Sequence, residues 1–156
     1  MAVEALKTTE QTDPYRGKPV NDHGKLRIQY FNLPATTVAG DANSTIDLCE
    51  LPFGEIRVIP ALSRITHSAF GAGRTLDVGH LEYQKRDDPS ADLEAYDQDA
   101  FIDGLDVAAA GAGVAFGTGI DFDIYSKSGV TVQAKVLGGT IPVGATVSGF
   151  IVYVYE

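Results

Sequence analysis

The sequence predicts an all-β protein: a jelly-roll-like antiparallel β-sandwich carrying an extended N-terminal arm and at most one short helix. Three observations predict it. Apolar residues recur with a period of two over most of the chain, turn-forming residues interrupt them about every 8 to 12 positions, and no stretch of ordinary helix length shows a 3.6-residue period. A chain of 156 residues is one domain's worth of material, and at this size a core can form without metal or disulfide support.

Residues 1–24 combine charges, Thr, Asn, Pro14, Pro19, Gly17 and Gly24 with few large apolar groups. Such a segment buries too little surface to offset its ordering entropy. It reads as an extended arm, with Tyr15, Arg16 and Val20 as its candidate contacts, and the sandwich occupies residues 25–156. From Lys25 the pattern alternates, with Leu26, Ile28 and Tyr30 set against Lys25, Arg27 and Gln29. Ile46 and Leu48 flank Asp47, Ile56 and Val58 flank Arg57, and Leu76 and Val78 flank Asp77. Each segment is read as a half-buried strand turning its apolar side inward. The same scheme places Ile120, Phe122 and Ile124 on one face of a strand, and Val130, Val132, Ala134 and Val136 on one face of the next.

Between the runs lie Leu33-Pro34, Gly40-Asp41, Pro52-Phe53-Gly54, Gly71-Ala72-Gly73, Gly138-Gly139 and Pro142-Val143-Gly144. Gly supplies the positive φ, and Pro the fixed φ, that turns need. The one helix candidate is Asp92 to Gly104, with an acidic first turn, a Gly stop, and Leu93, Tyr96, Ala100 and Phe101 near one face. Ala108 to Gly119 reads as a turn-rich crossing of small residues. The last segment, Ala145 to Tyr155, is apolar on both faces: Phe150, Val152 and Val154 oppose Ile151, Tyr153 and Tyr155. It is read as a central or interface-covered strand, and Ile151, Tyr153 and Tyr155 become candidate subunit contacts.

Composition narrows the function. Twelve Lys and Arg against 21 Asp and Glu give a net charge of −9, which opposes the counterion-releasing contacts on which nucleic-acid binding depends. The single Cys49 forms no intrachain disulfide and supports no thiolate cage. No run approaches the roughly 20 apolar residues of a membrane span, and Met1 to Gln11 does not read as a signal peptide. The expected chain is soluble and binds neither nucleic acid nor membrane.

Enzymatic constellations find little support. His67, His80 and Glu82 would serve a cupin-like metalloenzyme, but thirteen positions separate the histidines and there is no His-x-His pair. The acidic stretch from Asp87 to Asp106 fails the calcium-loop spacing, since Phe101 and Ile102 fall where a ligand and Gly belong. Asp121 and Asp123 share a strand face, but no Trp is present to stack on a sugar. No nucleophile elbow occurs, and Gly111-Ala112-Gly113 and Gly117-Thr118-Gly119 lack the Lys-Ser/Thr of a phosphate loop. Cys49 reads as a small core hydrophobe. The expectation is a non-enzymatic chain without cofactor or metal.

Two stretches carry a likeness: LPFGEIRVIPALSRITHSAFGAGRTLDVGHLEYQ from Leu51 to Gln84, and GGTIPVGATVSGFIVYV near the end. Through Pro52-x-Gly54-x-x-Arg57-Val58, Leu62-Ser63-Arg64, Ser68-Ala69-Phe70-Gly71-Ala72, Arg74 to His80 and Gly139-Thr140-Ile141-Pro142-x-Gly144-Ala145, the chain resembles the head decoration, or capsid cement, proteins of tailed bacteriophages. The likeness spans roughly Lys25 to Tyr155 and is a pattern of strands and turns with no catalytic signature. It implies a jelly-roll-like sandwich, made in the bacterial host cytoplasm. Such a protein assembles as a homodimer or homotrimer on the outer capsid surface, bridging subunits of the major capsid protein against the pressure of packaged DNA. By position, Arg64, Arg74 and His80 beside the Gly-rich turns join Tyr15 and Arg16 as candidate capsid contacts. A carbohydrate- or receptor-binding module using Tyr83 and Tyr96 is the alternative reading.

Overall fold

The computed structural model describes residues 5–7, 26–86, 93–117 and 122–155. Among these it forms the strands β1 (Ala5–Lys7), β2 (Leu26–Leu33), β3 (Thr45–Leu51), β4 (Gly54–Val58), β5 (Arg64–His67), β6 (Thr75–His80), β7 (Tyr83–Gln84), β8 (Leu93–Glu94), β9 (Asp97–Asp106), β10 (Gly111–Ala115), β11 (Phe122–Ser126), β12 (Val130–Leu137) and β13 (Val147–Tyr155). One sheet runs β1-β3-β12-β6-β9; the other runs β10-β5-β13-β4-β11, with β2 on the remaining side of β13. A short ribbon of β7 and β8 hangs from β11 through the bridge between Lys85 and Ser126.

All pairings are antiparallel except that of β1, which lies parallel to β3 with Leu6 opposite Ile46. Of the arm expected over residues 1–24, only β1 falls within the described residues; Tyr15, Arg16 and Val20 lie outside them. The two sheets enclose one core. β12 shows how, with Val130, Val132, Ala134 and Val136 buried in alternation with half-buried Thr131, Gln133, Lys135 and Leu137. Leu76 and Val78 from the same sheet meet Phe31, Ile56, Val58, Ile65, Ile124 and Ile151 from the other. Each such side chain contributes about 1.5–3 kcal/mol relative to exposure.

Three expectations are corrected. Asp92 to Gly104 holds no helix among its described residues; it provides β8 and most of β9, which pairs with β6. Two register shifts interrupt that pairing, so the adjacent Phe101 and Ile102 are both buried, as bulges allow. The bulges break the period of two and leave apolar spacing that mimics a helix. Gly104, read as the helix stop, instead bends the strand at φ 65°, and its N–H donates to the buried Asp77 carboxylate at 2.9 Å. Ala108 to Gly119 contains a true strand, β10, paired with β5 across another shift.

The third correction concerns β2. Its inward residues are Gln29, Phe31 and Leu33, and Leu26, Ile28 and Tyr30 point out. The strand is apolar at both parities, and the larger packing gain decides. Phe31 fits over Gly149 of β13, where a Cβ would come within 2.7 Å of the Phe31 ring. Among the described residues no glycine makes such room for Leu26, Ile28 or Tyr30.

Candidate functional site

β2 and β13 pair in antiparallel register, Leu26 opposite Val154, Ile28 opposite Val152 and Tyr30 opposite Phe150. Directly opposed residues share a sheet face. Six apolar side chains therefore stand together on the outer surface of the sandwich. Leu26, Ile28 and Tyr30 are 62%, 50% and 59% exposed. Phe150 and Val154 are half-buried and Val152 is covered between them. The Tyr30 and Phe150 rings meet edge to face with centroids 5.9 Å apart. A contiguous apolar surface of this kind, on a chain with a net charge of −9, is the candidate interaction site.

The face depends on how β13 is held. Its first half pairs with β5 and its second half with β4. At the change of partner, the Val152 N–H donates to Ser63 Oγ at 2.9 Å, the Ser63 hydroxyl donates to the Ile59 carbonyl at 3.0 Å, and the Ile59 N–H donates to the Val152 carbonyl. Ser63 thus satisfies a backbone group that neither neighbouring strand reaches. Along the inner border, Arg57 stands opposite Val154 and pairs with Asp123 at 2.7 Å, while Arg64 stands opposite Phe150. The Arg57–Asp123 pair is self-neutralising, and Arg64 leaves the border with a positive charge.

The candidates from the sequence have different fates. Ile151 and Tyr153 are fully buried in the chain's own core, so this subunit leaves neither available as a contact. Burial pushes the Tyr153 phenol up to about 12. Tyr155 points to the same side and donates to the Phe53 carbonyl at 2.7 Å. Their outward neighbours Phe150 and Val154, with Leu26, Ile28 and Tyr30, are what the sequence reading missed. The signal was present: Leu26 to Leu33 carries apolar residues at both parities, as the last strand does.

Arg64 bends back to donate to the carbonyls of Ala61 and Ser63, at 2.6 and 2.8 Å. Arg74 reaches Thr140 Oγ1 at 3.4 Å and lies against Gly71 and Gly139. Both guanidiniums brace turns. His80 is buried in an aromatic box of Tyr83, Phe101 and Phe122, with centroids 5.3, 6.3 and 5.5 Å away. Its Nδ1–H donates to the Leu81 carbonyl at 3.1 Å, because a carbonyl can only accept. Burial, then the charge of Glu94, pushes the Tyr83 phenol up to about 12.

His67 is buried on β5, in the sheet opposite the one that carries His80, and Glu82 is exposed beyond β6. The imagined His67, His80 and Glu82 centre does not assemble, and no group of three His, Cys, Asp or Glu among the described residues is placed to hold a metal. Asp123 is engaged by Arg57, and Asp121 lies outside the described residues. Asp97 and Asp99 stand close enough that their hydrogen bond, followed by burial, raises the Asp99 carboxyl above its ordinary value. Cys49 is buried.

No protein-family model and no curated protein matches the chain. Solved structures do. A chain of the capsid of Ralstonia phage GP4 superposes with a TM-score of 0.64 at 18% identity, covering 98% of this chain and 99% of that one. A chain of the cyanophage Pam1 capsid asymmetric unit superposes with a TM-score of 0.56 at 16% identity, covering 95% and 98%. At such identities the likeness establishes the fold, and it runs the length of both chains: this sandwich is one also found in small chains of two phage capsids.

Proposed function

We propose that this chain is a structural component of a phage virion and, within that class, a non-enzymatic capsid cement protein. It sits on the outside of the icosahedral head and bridges subunits of the major capsid protein against the pressure of packaged DNA. The observation that carries the reading is the end-to-end match of fold and length with chains of two phage capsids. The apolar outer face of β2 and β13 supports it, since a free monomer gains nothing from such a surface. The acidic composition fits a protein on the outer side of a DNA-filled shell, where anionic charge keeps particles apart and off nucleic acid. Many copies on one lattice need only modest contacts each.

Deletion of the gene tests the proposal. Heads assembled without the protein are expected to lose heat and low-salt resistance and to regain it when purified protein is added back. Unchanged resistance, with no copies found in wild-type heads by mass spectrometry, would overturn it. The glycan- or receptor-binding alternative is less well served. Tyr83, one of the two tyrosines it would use as a stacking platform, is buried against His80.

A further inference from the structure

We propose that this chain closes an internal amide cross-link on the outer face of the sheet that holds β6, β9 and β12: the Lys135 amine joins the side-chain carbonyl carbon of Gln98, and ammonia leaves. The cross-link belongs to the folded chain by itself, whatever its place in a virion.

The fold brings the three groups of the reaction together. Lys135 on β12 stands directly opposite Asp77 on β6, and residues so opposed share a face with Cβ atoms about 4.5–5.5 Å apart. The third group arrives through a bulge in β9. From Asp97 to Ile102 that strand advances five residues, whereas its partner advances only two, from His80 to Val78. The surplus is folded over Gly79, where a Cβ would run into the Asp97 carbonyl and the Gln98 backbone. Gly79 has the parity of Asp77, so Gln98 is delivered onto the face that Asp77 and Lys135 occupy.

There the Lys135 Nζ donates to Gln98 Oε1 at 2.9 Å, the Gln98 Nε2 donates to Asp77 Oδ2 at 3.4 Å, and the Gly104 N–H donates to Asp77 Oδ1 at 2.9 Å. Nucleophile, electrophile and proton carrier thus form one chain. With a C=O bond of about 1.23 Å, the amine nitrogen lies within about 4.1 Å of the carbonyl carbon. On so acidic a chain a lysine would ordinarily take a carboxylate, yet among the described residues Lys135 makes no ion pair and holds the carboxamide instead. The buried Asp77 meets N–H donors and no cation.

Asp77 takes a proton from the Lys135 ammonium, which frees the lone pair that forms the Nζ–Cδ bond. Asp77 then returns the proton to Nε2 as the Cδ–Nε2 bond breaks, and the released ammonia carries off the remaining amine proton as ammonium. An ammonium and a primary carboxamide become a secondary amide and an ammonium ion, so atoms and charge balance and no co-reactant is needed. Between free molecules this exchange is slow. Fixed neighbours gain effective molarities of about 10⁵–10⁸ M, and a positioned acid–base group adds about 10²–10⁴-fold. The product ties β9, whose ladder the bulge interrupts, to β12 across the intervening β6.

Intact-mass spectrometry and peptide mapping of the purified full-length protein test this. Wild type is expected to weigh one ammonia less than its sequence, and to yield a branched peptide joining Lys135 to Gln98, with no tryptic cleavage after Lys135. Lys135→Arg keeps the positive charge but has no amine nucleophile, and is expected to show the full mass. Asp77→Asn keeps an oxygen for the Gly104 N–H but cannot carry the proton. It is expected to stay folded by circular dichroism, with Lys135 and Gln98 unjoined. Wild type at full mass, with Lys135 and Gln98 on separate peptides, overturns the proposal whatever the variants do. So does an ammonia loss that persists in Lys135→Arg, which would be asparagine cyclisation elsewhere. A junction that still forms in Asp77→Asn overturns the role given to Asp77.

Discussion

The Phe101 ring is held among His80, Phe116 and Phe122, with centroids 6.3, 6.3 and 5.4 Å away, and it ties the last strand of one sheet to the middle of the sandwich. Its removal leaves a cavity between stiff aromatic walls that cannot collapse. Phe101→Ala is expected to cost about 3–5 kcal/mol, read from chemical denaturation. Gly149 is as tightly specified from the opposite direction. A Cβ there would run into the Arg64 carbonyl and reach the Phe31 ring at 2.7 Å. Gly149→Ala is expected to destabilise by at least ~1–3 kcal/mol, and more if β5 and β13 must separate. Tyr83 and Tyr153 make a different prediction. Both phenols are raised to about 12 by burial, from an ordinary value of 10. The folded chain therefore keeps protons that the unfolded chain releases between pH 10 and 12. Stability is fully present below pH 10 and declines as pH rises through that window. Tyr153→Phe should flatten the decline in melting temperature measured between about pH 9 and 11.5, and an unchanged slope would show that Tyr153 is not one of the groups responsible.

Among the elements, β13 organises its sheet, and the weak point is its exchange of β5 for β4. There the Val152 N–H depends on Ser63 Oγ. Ser63→Ala strands a buried donor and is expected to cost about 1–3 kcal/mol, whereas Arg57→Ala, which breaks a half-exposed ion pair, should cost less than about 1 kcal/mol; paired thermal melts distinguish the two. The same elements show what the sequence could reveal. β4, β11 and β12 were legible because one parity is apolar and the other polar, so only one face can be buried. β9 was not, because its bulges erase the period of two, and bulges depend on what lies across the ladder: here the Asp77 carboxylate waiting for the Gly104 N–H. β2 was legible as a strand but not in its orientation. Phe31 and Leu33 competed with Leu26, Ile28 and Tyr30 for the core, and the space over Gly149, far along the chain, decided between them. The candidate site inherited that ambiguity. Double-sided apolarity in the last strand pointed to a candidate interface, and it took the pairing of β2 with β13 to identify which side is turned outward.

For the whole molecule, charge and burial act against each other. Each copy carries −9, while the outer face of β2 and β13 is apolar, bordered by the Arg57–Asp123 pair and by Arg64. Burial of apolar area changes little between dilute and physiological salt, but repulsion between two acidic bodies changes greatly. The screening length falls from about 30 Å at 0.01 M salt to about 8 Å at 0.15 M. Repulsion between two copies therefore reaches across their whole width in dilute salt and is confined to near neighbours in physiological salt. Self-association should accordingly strengthen as salt is raised over that range, with the dimer dissociation constant falling in sedimentation equilibrium. Charge-paired interfaces behave the other way, because salt screens their attraction. The sign of the slope thus reports which kind of surface is in contact: dissociation promoted by added salt would mean that opposite charges, such as the acidic β9 and a basic segment of another copy, hold the copies together instead of Leu26, Ile28 and Tyr30.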